Sequence, residues 1–134
     1  MREPGRTPLF LLAILGLSGL AACGDAKPPL TQDASAARLL NQADPDRGRR
    51  LIAEKGCIAC HAVPQIRAPV STVGPPLNDM RRRAYLSGLL PNTPANLVQW
   101  LLDPPAVNPR TAMPNTGLSV AQAEDIAAFL ISLP

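Results

Sequence analysis

Cys57-Ile58-Ala59-Cys60-His61 is the stretch that organises everything else in this chain. Two thiols and an imidazole in this order fit the C-x-x-C-H signature of covalent haem attachment. Each part has a task. The thiols add to the two vinyl groups of the porphyrin, and a two-residue gap matches the vinyl separation when the segment follows a helical turn. His61 then directs its imidazole to the iron from the same side. A bare C-x-x-C also occurs as a redox dithiol or as half a zinc site. A structural zinc needs two more ligands, but His61 is the sole histidine and Cys23 the sole cysteine outside the motif. A thioredoxin-like dithiol needs a βαβ setting, which the pattern lacks.

Upstream, the chain opens with an address. Arg2 and Arg6 precede a continuous apolar stretch, Leu9 to Leu20, too short for an ordinary membrane span. It ends Leu20-Ala21-Ala22-Cys23-Gly24. Small residues before a cysteine resemble the bacterial lipoprotein signal, in which that cysteine takes a lipid on its sulfur. The expectation is a signal over 1–22, lipidation of Cys23, a tether over 23–43 and a domain over 44–134. An ordinary cleaved signal or an uncleaved anchor is the alternative. Either way the mature protein is expected outside the cytoplasm, lipid-anchored on the periplasmic side of a bacterial membrane, where oxidised thiols persist. The three cysteines then divide into one for the lipid and two for the haem.

Composition points the same way. Of 134 residues only four are aromatic: Phe10, Tyr85, Trp100 and Phe129. A core so poor in rings suggests that something other than side chains fills its centre. Sixteen prolines, spread along the chain, favour short helices joined by stiff connections. The net charge of +3 falls to +2 without Arg2, Glu3 and Arg6. Arg81-Arg82-Arg83 is the one run of three charges, and no aromatics are interleaved to stack on bases. Nucleic acid is therefore not an expected partner.

Helix signals frame the motif. Asp44-Pro45-Asp46 supplies a cap, a proline at the first position and an acid in the first turn, predicting a helix through Lys55 with Gly56 beyond it. Asn78 to Ser87 reads as a short helix ending at Gly88. Thr93-Pro94 starts another, running to Leu102, and Asp103-Pro104-Pro105 ends it. Residues 104–118 read as an irregular loop. Ser119 and Gln122 form a capping box for a last helix to Ser132. The fold class is all-α, with three to five short helices and proline-rich loops around one haem.

An electron carrier needs a second axial ligand. Met1 is expected to leave with the signal, Met80 lies in the predicted helix over 78–87, and Met113 lies in Asn108-Pro109-Arg110-Thr111-Ala112-Met113-Pro114. A thioether ligand wants a loop that can reach the iron and is stiff enough to keep a weak bond, and the prolines restrict backbone freedom there. Met113 is the expected ligand, with core gap-filling as its bland role. Met80 is expected to pack.

The order of Gly48, the Cys57–His61 site, Gly74-Pro75, the Leu97–Leu101 helix, then Pro109, Thr111, Met113 and Phe129 resembles class I cytochromes c. The resemblance covers nearly the whole chain after the tether. It implies the cytochrome c fold and one covalent haem c. It also implies that His61 donates its outer ring N–H to the carbonyl of Pro75, a bond that fixes the ring. Gly48 would allow a close crossing with the C-terminal helix near Phe129, and Thr111 would lie near a haem propionate. Trp100 would stand near the axial sulfur, where relatives often carry a tyrosine. Arg83 and Tyr85 are expected propionate partners, with a solvated surface as the alternative. Tyr85 to Pro94 looks like haem domains that serve haem–copper oxidases.

The expected function is one-electron transfer by a monomer that is not itself an enzyme. Its partners would be a quinol–cytochrome c reductase or a terminal oxidase, and the Cys23 lipid would hold it at the membrane. A haem subunit of a membrane dehydrogenase or oxidase complex is the first rival. A haem enzyme or sensor with a labile sixth ligand is the second.

Overall fold

A computed structural model describes residues 41–69 and 71–133. The signal, Cys23 and the tether up to residue 40 lie outside them. Among the described residues are four α-helices: α1 Pro45–Glu54, α2 Pro94–Leu102, α3 Pro104–Val107 and α4 Val120–Ser132. Tyr85–Leu86 (β1) and Leu90–Pro91 (β2) form an antiparallel hairpin, with Leu86 opposite Leu90. Single 3-10 turns occupy Cys57–Ala59 and Met80–Arg82.

Local chemistry starts each long helix. Asp44 Oδ1 accepts from the N–H groups of Asp46 and Arg47 at 2.9 and 3.0 Å, with Pro45 at the first position. Thr93 Oγ1 accepts from Asn96 N–H at 3.2 Å, again with proline following. The capping box at Ser119 is complete: Gln122 N–H donates to Ser119 Oγ at 3.3 Å, and Ser119 N–H donates to Gln122 Oε1 at 3.0 Å. Such caps satisfy backbone groups that have no partner within the helix.

The core gathers where α1 and α2 pack on α4, around Ile52, Leu97, Ile126, Phe129, Leu130 and Leu133. Gly48 makes the α1–α4 crossing possible. A Cβ there would lie 2.0 Å from the backbone oxygen of Asp125. The closest approach is thus at Asp125, one helical turn before Phe129. The crossing carries an ion pair that the sequence reading missed. Asp125 is 1% exposed, and both its oxygens are occupied. Arg47 Nη2 donates to Oδ1 at 2.7 Å, Arg47 Nε donates to Oδ2, and Asp44 N–H donates to Oδ1 at 2.8 Å. The carboxylate side-chain bond holds the Arg47 pKa above its ordinary value.

Two expectations change. The helix over 78–87 is replaced by one 3-10 turn and a hairpin. Asp79 has φ +53°, and Arg83 is extended. Asn92, buried at the end of β2, donates through Nδ2 to the carbonyls of Met80 (2.6 Å) and Arg83 (3.0 Å), capturing acceptors that a continuing helix would use. Ser87 and Gly88 both take positive φ, +50° and +70°, as a hairpin turn of the twist-matched type requires. The loop after Leu102 is also less irregular than expected. Asp103 ends α2 and caps the single turn of α3, accepting from Ala106 N–H at 3.3 Å, with Pro104 at its first position.

Candidate haem site

The core encloses a cavity of about 390 Å³. That lies within the ~300–1,000 Å³ of small-molecule and cofactor sites. It brings together Cys57, Cys60, His61, Pro75, Arg83, Tyr85, Trp100, Thr111 and Met113, every site residue singled out from the sequence within the described residues. Met80 lines it as well. Much of the remaining wall is apolar, including Ile52, Leu97, Leu101, Ile126 and Leu130 from the three long helices.

The motif hangs from the end of α1. Gly56, at φ +74°, turns the chain out of the helix into the 3-10 turn, and His61 N–H closes on Cys57 O at 2.9 Å. Both thiols are free and partly buried. Burial pushes the Cys57 thiol above its ordinary pKa.

His61 is oriented by one bond. Its Nδ1 lies 2.7 Å from Pro75 O, the contact that the resemblance implies. A carbonyl only accepts, so Nδ1 carries a proton, and Nε2 is the nitrogen left to ligate a metal. Gly74 lies flat against the ring. A Cβ there would fall 2.5 Å from His61 Cε1 and 2.6 Å from Nδ1, so glycine alone fits.

Around the rest of the cavity several of these residues make bonds to the backbone that the sequence did not announce. Thr111 Oγ1 accepts from Met113 N–H at 3.1 Å, which fixes the methionine backbone. Asn108 Nδ2 donates to Ser87 Oγ at 2.8 Å, joining this loop to the hairpin turn. Arg83 Nη2 donates to Pro76 O, and to Asn78 O at 3.2 Å. Tyr85 and Val73, 60% and 75% exposed, stand at the mouth. Met80 is 5% exposed and sits in the core cluster. Asp125 and Asn92 escaped the sequence reading. Asp125 had a signal, since a wheel of α4 puts it on the buried side between Gln122 and Phe129. Asn92 had none, because its partners are set by the hairpin.

The donors suit a haem: two sulfurs for covalent links, an imidazole whose Nδ1–H is donated to a carbonyl, and a thioether on a stiff loop. Among the described residues no group of three or more His, Cys, Asp or Glu comes together as a metal site.

Comparison with known proteins agrees with this. The chain is 32% identical over 89 residues to cytochrome c oxidase subunit 2 of Alkalihalophilus pseudofirmus, covering 66% of this chain and 25% of that protein. It is 29% identical over 85 residues to cytochrome c oxidase subunit 2 of Bacillus subtilis, covering 62% and 24%. The chain thus spans about a quarter of the length of these relatives. The cytochrome c family model matches residues 45–134, from the first residue of α1 to the end of the sequence. Motif, fold and match converge: the chain belongs to the cytochrome c family, electron-transfer proteins built around haem c.

Proposed function

We propose that this protein is a one-electron carrier with a single haem c linked to Cys57 and Cys60, ligated by His61 and Met113. The single observation that carries the reading is the cavity that collects all four residues, with His61 already in the tautomer a metal requires. When bound, haem iron supplies a centre that gains or loses one electron without any bond being made or broken.

The chain's own residues supply the rest. His61 offers Nε2 because Pro75 O holds the proton on Nδ1. Thr111 fixes the backbone of Met113, and a thioether ligand with an apolar shell favours the reduced state. Leu97, Leu101, Ile126 and Leu130 keep water from the interior. Tyr85 and Val73 leave one edge open to a partner. Were His61 and Met113 both to hold the iron, the group would offer no place to a substrate, and the protein would pass electrons without being an enzyme itself. We place it on the periplasmic side of a bacterial membrane, tethered through lipid on Cys23. Among the described residues no helix is long and apolar enough to span a membrane. Its partners would be a quinol–cytochrome c reductase or a terminal oxidase, met through small transient contacts.

Maturation in a host with haem-attachment machinery tests this. Alkaline pyridine spectra should count one covalent haem per chain, and intact mass should show lipid at Cys23. A Cys57→Ala, Cys60→Ala double variant should retain none. A colourless, fully processed parent overturns the reading. A second reading, a fixed haem subunit of an oxidase complex, draws on the two subunit 2 relatives. Stable co-purification with oxidase subunits in mild detergent would favour it.

A further inference from the structure

The carbonyl that orients His61 has a support of its own. Gly74 N–H donates to Cys60 O at 2.7 Å and Leu77 N–H donates to Ala62 O at 2.8 Å, pinning both ends of the segment 74–77 beside the motif. Between them stand Pro75 and Pro76, which have no N–H to give. A carbonyl is the one backbone handle that each proline has, and both are used. Pro75 O accepts from His61, and Pro76 O accepts from the Arg83 guanidinium. The same nitrogen of Arg83 reaches Asn78 O at 3.2 Å, so it bridges the two sides of Leu77.

Arg83 is itself anchored. Its N–H donates to Met80 O at 3.3 Å, and its carbonyl accepts from the buried Asn92 side chain at 3.0 Å. A continuous chain of bonds therefore runs from the hairpin, through Asn92 and Arg83, to the peptide next to the His61 acceptor.

We infer that Arg83 is a positioning residue for His61, acting through Pro76 to keep the Pro75 carbonyl on the ring N–H. The inference rests on His61 being the axial ligand. A well-held Nδ1–H bond raises the basicity of the ligand and so favours oxidised iron. Loosening it raises the reduction potential. Merely removing a positive charge near the iron does the reverse, because the field of a cation disfavours the oxidised state. Arg83→Lys separates the two effects: it keeps the charge, but its shorter stem withdraws the donor from the place that Nη2 takes between the two carbonyls.

The experiment compares haem-loaded, full-length parent, Arg83→Lys and Arg83→Met. It reads deuterium exchange of the His61 Nδ1–H by NMR in the reduced state, together with the potential. In Arg83→Lys the exchange should speed up about tenfold, as a local opening becomes easier. Its potential should rise by about threefold in the reduction equilibrium, roughly 28 mV at 59 mV per tenfold for one electron. Arg83→Met should show exchange at least as fast. Parental exchange and potential in Arg83→Lys, with a lowered potential in Arg83→Met, would make Arg83 a charge and nothing more. Parental values in both variants would make its bonds to Pro76 and Asn78 incidental. Either result overturns the inference. Should Arg83→Met fail to accumulate, Arg83→Lys decides alone. A parent without haem would instead sink the reading on which the inference rests.

Discussion

The histidine segment and the methionine loop meet in one cavity but are held in different ways. Around His61, backbone bonds from Gly74 and Leu77, the ring bond to Pro75 and the Arg83 bridge tie three stretches of chain together. Around Met113, the bonds are mostly local: Thr111 N–H donates to Asn108 O at 2.9 Å and Met113 N–H donates to Thr111 Oγ1 at 3.1 Å. One exposed side-chain bond, Asn108 to Ser87, links that loop to the rest. The lesson is mechanical. The nitrogen side is over-determined, whereas the sulfur side is stiffened by Pro109 and Pro114 and lightly attached. Perturbations should therefore damage the first severely and the second selectively.

The sharpest way to break this contrast is Gly74→Ala. The new Cβ would meet a ring that is fixed by its own bond and cannot turn aside. Urea unfolding of the loaded protein should show a loss of about 3 kcal/mol, the upper range for overpacking. A near-neutral result would mean the ring is free to move. Met113→Ala should cost less, about 2 kcal/mol for a half-buried side chain. It should keep the covalent haem, lose the weak far-red band of sulfur-ligated ferric haem, bind carbon monoxide and show a lower potential. Ser87→Ala removes the exposed link. It should cost only about 0.5 kcal/mol, near the bottom of the range for one hydrogen bond, and show coupling to Asn108→Ala in a double-mutant cycle.

The smallest effect is one of pH at the start of α1. The N–H of Arg47 holds the Asp44 carboxyl below its ordinary value. Its folded pKa is therefore the lower one. The stabilisation is full above the unfolded value, about 4, and fades as pH falls through the folded value. The Tm gap between parent and Asp44→Ala should be constant above about pH 5 and narrow on acidification. A gap that widens would reverse the sign of this account.

How much of this could be read in advance depended on distance along the chain. The starts of α1, α2 and α4 were legible because Asp44-Pro45, Thr93-Pro94 and Ser119–Gln122 each act within one turn. The motif was legible for the same reason. The hairpin was not. Helical propensity over 78–87 loses to a buried Asn92 side chain that takes two carbonyls, and Ser87 must accept a positive φ that its identity does not announce. The Arg47–Asp125 pair joins opposite ends of the domain, so only the α1–α4 crossing creates it. The bonds of Arg83 to Pro76 and Asn78 were hidden likewise, because the turn over 80–82 folds that side chain back on the preceding segment, whereas the bond of Thr111 to Met113 N–H is a local two-residue contact.

The most direct test of the account is NMR of the reduced, haem-loaded protein. A methionine bound to iron lies under the porphyrin ring current, which moves its methyl signal far upfield. One such signal should be present in the parent, persist in Met80→Leu and vanish in Met113→Ala. Its survival in Met113→Ala, or its loss in Met80→Leu alone, would contradict the assignment of the sixth ligand and with it the division of labour between the two walls.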